Sequence, residues 1–125
     1  MIAFKIENNL SPEEFKLLLI KSTLGQRRPI DDFDRIKLMV QNSDLIITAR
    51  DKSKLVGVAR SVTDFVYCTY LSDLAVDVDY QKKGIGKELI RLTKKETPTA
   101  TMVLLAAPAA INYYPHIGME KHNGC

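Results

Sequence analysis

Residues 71–92 read LSDLAVDVDYQKKGIGKELIRL, and this stretch decides the fold. Its beginning belongs to a longer run, Phe65 to Val78, that is rich in β-branched and aromatic residues and predicts a strand. Gly84 and Gly86 then open a predicted helix. Its apolar residues recur at helical spacing, at Ile85, Leu89, Ile90 and Leu92. A strand, a glycine turn and a helix in this order predict an anion-binding cradle, because the free N–H groups of a helix N-terminus point at the ligand.

Two well-known phosphate-binding motifs do not fit this stretch. The nucleotide P-loop requires Gly at position 81 and Ser or Thr at position 88, where the chain has Gln81 and Glu88. The dinucleotide fingerprint requires a third glycine at position 89, which is Leu89. An NTPase and a nicotinamide-dependent enzyme are therefore disfavoured. On the glycines alone, a tight turn without a ligand is an equally good interpretation.

The helices before this stretch have clear start signals. Ser11-Pro12-Glu13-Glu14 predicts a helix start, because Ser is a good N-cap, Pro suits the first helical position and a Glu follows three residues after the Ser. A second helix is predicted from Asp31-Asp32. The other predicted elements are strands at Met1–Ile6, Asp44–Ala49 and Leu55–Val62, a buried strand at Met102–Leu105, and a last helix from about Ala109 to Tyr114.

The element order β-α-α-β-β-β-α-β-α predicts an α/β fold of the α+β type. We expect a central mixed β-sheet with helices on both faces, in a single domain over residues 1–125. A chain of 125 residues with 46% apolar and 26% charged residues suits one folded domain.

Composition narrows the possible partners and the compartment. The formal net charge is +3 without a basic tract, which disfavours nucleic acid as a partner. The longest apolar stretch, Met102 to Ile111, is about half a membrane span, so no membrane is expected. The chain has two cysteines, of which Cys68 is expected to be buried, and its first residues lack a signal-peptide core, so we expect a cytoplasmic protein. His116 and His122 have no third ligand at metal spacing, so no metal is expected.

The sequence resembles the GCN5-related N-acetyltransferase (GNAT) family over nearly its whole length. Gln81, Gly84 and Gly86 match the family signature [QR]-x-x-G-x-[GA]. Residues 110–119 read AINYYPHIGM and resemble the second hallmark, an aromatic pair followed by a turn into a strand. Family domains normally end with two strands after the last helix, whereas this sequence stops seven residues after Gly118. Either the domain is shortened or a partner subunit completes the edge of the sheet, and an open edge of that kind favours a homodimer.

The resemblance implies acetyl-coenzyme A (acetyl-CoA) as co-substrate. The amides of residues 82–87 would hold its pyrophosphate, and the strand before the loop would pair with its pantetheine arm. The amide of Leu74 would polarise the thioester carbonyl, and Tyr114 would protonate the departing thiolate, because a phenol with a pKa near 10 stays protonated at neutral pH. The implied cofactor-binding residues are Leu74, Ala75, Val76, Gln81, Lys82, Lys83, Gly84, Ile85, Gly86, Lys87 and Asn112.

The acceptor side is less well defined. Alternation along the strand puts Tyr70, Ser72 and Leu74 on one face and Asp73 on the other. Tyr70 and Ser72 are therefore expected to face the acceptor and to relay a proton through water, and Asp73 could act as a base only if a bulge re-aimed it. In the loop between the first two helices, Arg28, with Arg27 beside it, could bind an acceptor carboxylate.

Asp32 in the same loop could bind an acceptor ammonium group, and the alternative is a solvated loop with a helix N-cap. The function predicted in this way is an N-acetyltransferase that moves an acetyl group from acetyl-CoA to a primary amine of a small molecule or protein by direct attack. The alternative is a non-catalytic module that binds or senses acyl-CoA.

Overall fold

The computed structural model of the protein describes residues 1–104. These residues form five strands and three α-helices. In chain order they are β1 (Ile2–Ile6), α1 (Pro12–Lys21), α2 (Phe33–Gln41), β2 (Leu45–Asp51), β3 (Lys54–Thr63), β4 (Cys68–Val76), α3 (Ile85–Glu96) and β5 (Thr101–Val103), with short 3-10 helices at Leu24–Arg27 and Val78–Tyr80.

The strands form one sheet in the order β1-β2-β3-β4-β5. The first three pairings are antiparallel, and β4 pairs with β5 in parallel. The parallel pairing follows from α3, which carries the chain back across the sheet before β5 begins. The predicted mixed sheet is confirmed.

Each face of the sheet is covered by helices. The residues that α1 and α2 bury include Phe15, Leu18, Leu19, Ile36 and Val40, and they pack with sheet residues in one core. The residues that α3 buries include Ile85, Leu89 and Ile90, and they pack in a second core on the opposite face. The prediction of helices on both faces is therefore confirmed.

Both predicted N-caps are present. The Ser11 hydroxyl accepts a hydrogen bond from the Glu14 amide at 3.2 Å, so α1 begins at Pro12 as expected. The Asp32 carboxylate accepts from the Arg35 amide at 3.1 Å and starts α2.

The largest difference from the predicted elements is the start of β4. Strand propensity predicted a strand from Phe65, but β4 begins at Cys68. The cause is Asp64, whose Oδ1 accepts hydrogen bonds from the amides of Val66, Tyr67 and Cys68 at 2.9, 2.8 and 3.1 Å. These amides are taken by a turn and cannot join the sheet. Cys68, the first residue of the strand, is exposed, so the prediction that it is buried was wrong.

The end of the described chain also differs from the prediction. β5 covers Thr101–Val103. Met102 and Leu104 are half-buried and pack against the core under α3, whereas Val103 is exposed, so the predicted burial of Met102–Leu105 is confirmed in part. Within residues 1–104 the one strand that pairs with β5 is β4, and three residues are too few for alternation to define which side chains are buried. The predicted last helix, with Asn112 and Tyr114, lies outside the described residues.

Candidate active site

The strand β4 contains a bulge at Ser72. Arg60 of β3 pairs with Asp73, and the next residue of β3, Ser61, pairs with Leu71. Moving by one residue along β3 therefore corresponds to moving by two residues along β4, and Ser72 is the extra residue. Such a bulge turns the side chains beyond it relative to a regular strand.

The bulge corrects the predicted faces of β4. Regular alternation grouped Leu74 with Tyr70 and Ser72, opposite Asp73. In the structure Leu74 packs on the core under α3, whereas Ala75 belongs to the core under α1 and α2. Ser72 and Asp73 both contact the guanidinium of Arg60, so they point to the same side. The predicted grouping was therefore wrong beyond Ser72.

The backbone of β4 presents polar groups on the side away from β3. The Asp77 amide donates to the Val56 carbonyl of β3 at 2.9 Å. In a strand, the N–H and C=O groups of one residue point to the same side and those of the next residue point to the opposite side. The N–H and C=O groups of Leu74 and Val76 therefore point away from β3. The Val76 carbonyl accepts a 3.0 Å hydrogen bond from the Gln81 side chain, which agrees with that direction.

The neighbouring strand leaves this part of β4 open. The pairing of β4 with β5 runs from Cys68–Thr101 to Tyr70–Val103. In the part of the chain that the structure describes, residues 71–76 have no pairing partner on this side. An extended ligand could therefore pair with the N–H and C=O groups of Leu74 and with the N–H group of Val76, as an added strand does.

The loop after β4 ends in a helix N-terminus whose first amides have no acceptor among residues 1–104. Gly84 is the N-cap of α3 with φ of +82°, and it provides no side-chain cap. The first hydrogen bond of the helix backbone runs from the Glu88 amide to the Gly84 carbonyl, at 3.0 Å. The amides of residues 85–87 precede that bond, so they have no acceptor within the helix. A Cβ at Gly84 would meet nothing within 4 Å, which shows that its surroundings are open.

The same loop is held in place by its own acidic and aromatic residues. Asp77 accepts from the Asp79 amide at 2.9 Å with its side chain and from the Tyr80 amide at 2.8 Å with its carbonyl. The Tyr80 hydroxyl donates to Asp51 at 2.7 Å. This hydrogen bond raises the pKa of Tyr80 and lowers the pKa of Asp51. The loop is thus tied to the end of β2.

Lysines surround the loop. Lys54 and Lys83 lie over the Tyr80 ring, with their Nζ atoms 5.2 and 5.3 Å from its centre. Lys82, Lys83 and Lys87 are all exposed. These cations and the free amides at the start of α3 favour an anionic group at this place.

The position of α3 depends on Gly57 of β3. A Cβ at Gly57 would lie 3.0 Å from Ile85 Cγ2 and 3.2 Å from Leu89 Cδ1. The missing side chain lets the first turn of α3 approach β3 closely. Gly57 therefore sets where the helix N-terminus lies relative to the end of β4.

On the face of β4 that lies toward α2, a buried carboxylate accepts hydrogen bonds from two arginines. Asp73 is fully buried, and its two oxygens accept hydrogen bonds from Nε of Arg28 and Nε of Arg60. Arg28 also donates to the Ser72 carbonyl at 2.7 Å. Three of the five N–H groups of Arg28, including one to the Arg27 carbonyl, thus have protein partners.

The remaining acceptor residues of the prediction lie in different surroundings. Ser72 is half-buried, and Tyr70 is 38% exposed. Tyr70 pairs with Val62 on β3 and with Val103 on β5, and paired residues share a face of the sheet. The side chains of Val62, Tyr70 and Val103 form an exposed apolar row across β3, β4 and β5, next to Ser72 on β4. Asp32 lies at the start of α2 as its N-cap.

A comparison with protein families decides the assignment. The family model described as "Acetyltransferase (GNAT) family" matches residues 10–119 of the chain. The chain belongs to the GNAT family. The resemblance noted in the glycine loop and in the aromatic pair is thereby confirmed, and the family is one of acyltransferase enzymes.

Individual relatives agree with the GNAT assignment. The chain is 29% identical over 102 residues to an uncharacterized N-acetyltransferase ycf52 of Pyropia yezoensis, which covers 76% of this chain and 57% of the relative. The chain spans about half the length of the curated relatives that it matches first.

Solved GNAT structures share the fold. A GNAT family acetyltransferase of Streptococcus pneumoniae TIGR4 superposes with a TM-score of 0.81 at 24% identity and covers 96% of this chain and 88% of its own. The structure of AAC(6')-Iy in complex with a CoA-containing bisubstrate analog superposes with a TM-score of 0.72 at 14% identity and covers 97% of this chain and 92% of its own. At these identities the likeness shows the fold.

Sequence reasoning missed several residues of this GNAT site. Gly57 and Arg60 lie in a strand that reads as apolar, and Asp51 and Asp77 were not singled out. A charged residue inside an apolar strand, as Arg60 is, indicates a buried partner and could have been noticed. Among residues 1–104, no three His, Cys, Asp or Glu side chains gather in a way that could hold a metal ion, and no helix has the length and apolarity to cross a membrane.

Proposed function

We propose that this GNAT chain transfers the acetyl group of acetyl-CoA to a primary amine by direct attack in a ternary complex. The observation that carries the proposal is the open edge of β4 next to the uncapped start of α3. The Leu74 and Val76 peptide groups point toward that edge, and the free amides of residues 85–87 lie where the chain enters the helix. An extended arm that ends in a pyrophosphate fits this arrangement.

The residues proposed to bind acetyl-CoA divide between the strand and the loop. Leu74, Ala75 and Val76 would hold the pantetheine arm through their backbone. The amides of the loop and of the first turn of α3 would hold the pyrophosphate, with the exposed side chains of Lys82, Lys83 and Lys87 adding attraction. Because exposed charges are screened by water and salt, we expect the amides to contribute more than each lysine. Asn112 remains a proposed contact to the arm.

The proposed chemistry forms one bond and breaks another. The lone pair of the acceptor nitrogen attacks the thioester carbon, and the C–S bond breaks. The nitrogen loses a proton and the leaving sulfur gains one, so the products are an amide and the free thiol. The Leu74 amide is proposed to donate to the carbonyl oxygen as negative charge develops on it. Tyr114 is proposed to supply the proton to the sulfur.

The acceptor is proposed to approach from the side of Tyr70 and Ser72. The exposed row of Val62, Tyr70 and Val103 offers contact to the apolar part of such a molecule. Asp73 is a poor base for this reaction, because both of its oxygens are bonded to arginines and it is fully buried. We retain a relay through water at Tyr70 or Ser72 as the proposed route for the proton. Asp32 is proposed to attract the ammonium form of the acceptor during its approach.

Thermal unfolding with acetyl-CoA tests the cofactor part of the proposal. At a hundredfold excess over Kd, acetyl-CoA should stabilise the protein by about 2.7 kcal/mol and raise the melting temperature by about 8–13 °C. ATP and NAD serve as controls, since the loop lacks their motifs. A shift with ATP and none with acetyl-CoA would contradict the proposal.

A panel of amines tests the transfer itself. Free lysine, spermidine, an aminoglycoside and a lysine-containing peptide represent the acceptor classes, and release of the CoA thiol reports the reaction. Binding of acetyl-CoA without transfer to any of them would favour the alternative, a module that senses acyl-CoA. A cytoplasmic location remains part of the proposal, supported by the small number of cysteines. A homodimer also remains part of the proposal.

A further inference from the structure

A buried group of three charges lies directly behind the bulge of β4. The side chains of Arg28, Asp73 and Arg60 are 22%, 0% and 9% exposed. Asp73 is 45 residues from Arg28 and 13 from Arg60, so the group joins distant parts of the chain. We call it the arginine–aspartate cluster. A carboxylate without water is stable only when both of its oxygens are bonded, which the two arginines achieve.

The arginine–aspartate cluster holds Ser72 from two directions. Arg28 Nη2 donates to the Ser72 carbonyl at 2.7 Å, and Arg60 Nη2 donates to the Ser72 hydroxyl at 3.0 Å. The extra residue of the bulge is therefore fixed by its backbone and by its side chain. Leu74 follows two residues later, so the orientation of its amide depends on the same bulge.

The cluster also fixes the elements on the acceptor side. Arg28 follows the short helix Leu24–Arg27 and ties the loop before α2 to β4. Arg60 donates to the Met39 carbonyl in the last turn of α2 at 3.3 Å, and to the Ser43 hydroxyl just after α2 at 3.2 Å. The loop, α2, β3 and β4 thus meet at a single buried carboxylate.

We infer that Asp73 is a positioning residue, and that through Arg28 and Arg60 it sets both the Leu74 amide and the loop that borders the acceptor. This inference rests on the proposed function. It assigns Arg28 to holding the loop rather than to binding an acceptor carboxylate. It predicts separate kinetic effects: loosening the loop weakens acceptor binding, whereas disturbing the bulge slows the chemical step. The loop of Lys82 to Lys87 is not connected to the cluster by any hydrogen bond in the described residues, so loosening the loop before α2 should leave the proposed pyrophosphate contacts in place.

The first test needs no substrate. Hydrogen–deuterium exchange of the peptide covering residues 22–32 should be faster in Arg28→Ala than in the wild type by at least tenfold. Arg28→Lys keeps the charge but not the planar pair of donors, so its exchange should be intermediate. Arg35→Ala, an exposed arginine on α2, is the matched control and should exchange as the wild type does. Equal exchange in Arg28→Ala and Arg35→Ala would overturn the inference.

The second test uses kinetics with the best acceptor of the amine panel. Arg28→Ala should raise the acceptor KM by about tenfold or more, with the acetyl-CoA Kd changed less than threefold. Asp73→Asn should lower kcat by at least tenfold while the pH profile of kcat/KM keeps its shape, because the carboxylate is not the base. If Asp73→Asn removed the acidic limb of the pH profile of kcat/KM, that result would overturn the inference. If Asp73→Asn does not fold, as judged by its melting curve, the partial effect expected of Arg28→Lys on the acceptor KM decides in its place.

The two levels of the account fail in different ways. A wild-type protein that acetylates no amine contradicts the proposed function, and the exchange result then still decides whether the cluster holds the loop. A wild-type protein that acetylates an amine, with Arg28→Ala equal to Arg35→Ala in exchange and in KM, contradicts the inference alone.

Discussion

The hydroxyl of Tyr80 donates a 2.7 Å hydrogen bond to Asp51, and this bond connects the loop before α3 to the end of β2. The two residues are far apart in the sequence, yet their contact limits how the loop can move. Since the loop leads directly to the free amides of α3, its rigidity bears on anion binding. Preformed donors cost less to order when the ligand arrives.

Removing this hydroxyl should weaken acetyl-CoA binding. Tyr80→Phe keeps the ring that Lys54 and Lys83 lie over but loses the bond to Asp51. The loop is then less well ordered before the ligand arrives, so we expect the acetyl-CoA Kd to rise by about fivefold. Isothermal titration calorimetry measures it, with Tyr67→Phe as control, because Tyr67 is 79% exposed. An unchanged Kd in Tyr80→Phe would show that the loop needs no such anchor.

A methyl group at Gly57 should push α3 away from the sheet. Gly57→Ala places a Cβ 3.0 Å from Ile85 Cγ2, so the helix must shift or the side chains must rearrange. We expect a loss of about 1–3 kcal/mol in the free energy of unfolding. We also expect weaker acetyl-CoA binding, because the N-terminus of α3 moves. Urea denaturation and calorimetry measure the two effects.

A compensating substitution distinguishes crowding from other causes. Leu89→Ala removes the Cδ1 atom that would lie 3.2 Å from the new Cβ. The double variant should lose less stability than the sum of the two single variants. Strict additivity would contradict the proposed crowding between β3 and α3.

The ion pair of Glu7 with Arg50 should make stability depend on pH. Arg50 donates to the two oxygens of Glu7 at 3.1 and 2.7 Å, and these bonds hold the pKa of Glu7 below its ordinary value of 4.5. A lowered pKa in the folded state adds stability above pH 4.5, and that stability is lost as the pH falls through the lowered pKa.

Glu7→Gln tests this dependence. At neutral pH it should lower the free energy of unfolding by about 1–2 kcal/mol. Between pH 6 and pH 3 its stability should fall less steeply than that of the wild type, and the two should converge at the acid end. Urea denaturation at several pH values gives both curves. Parallel curves over the whole range would contradict a lowered pKa at Glu7.

Local signals were sufficient to predict much of the fold. The cap at Ser11 and the glycine turn at Gly84 each depend on a few neighbouring residues, and both are present in the structure. The alternation of β4 was correct as far as Ser72. It failed beyond that point because a bulge depends on how β3 and β4 pair, and pairing is not visible in one strand alone.

In the candidate site, too, local features could be predicted from the sequence, whereas contacts between distant parts of the chain could not. The helix start at Asp32 and the loop of Gly84 could be predicted from the sequence. The arginine–aspartate cluster could not, because Arg28, Arg60 and Asp73 come from a loop and two strands that only the folded sheet brings together. The roles of Asn112 and Tyr114 stay predictions.

Thiol release by Tyr114→Phe, measured beside Tyr113→Phe and the wild type, tests the central claim most directly. Both variants lose one hydroxyl from the same aromatic pair, so they differ in position alone. With acetyl-CoA and the best amine of the panel, we predict that Tyr114→Phe lowers kcat by about 100-fold or more, while Tyr113→Phe stays near the wild type. A wild-type protein that binds acetyl-CoA and releases no thiol with any amine, or a Tyr114→Phe variant with full activity, would contradict the account.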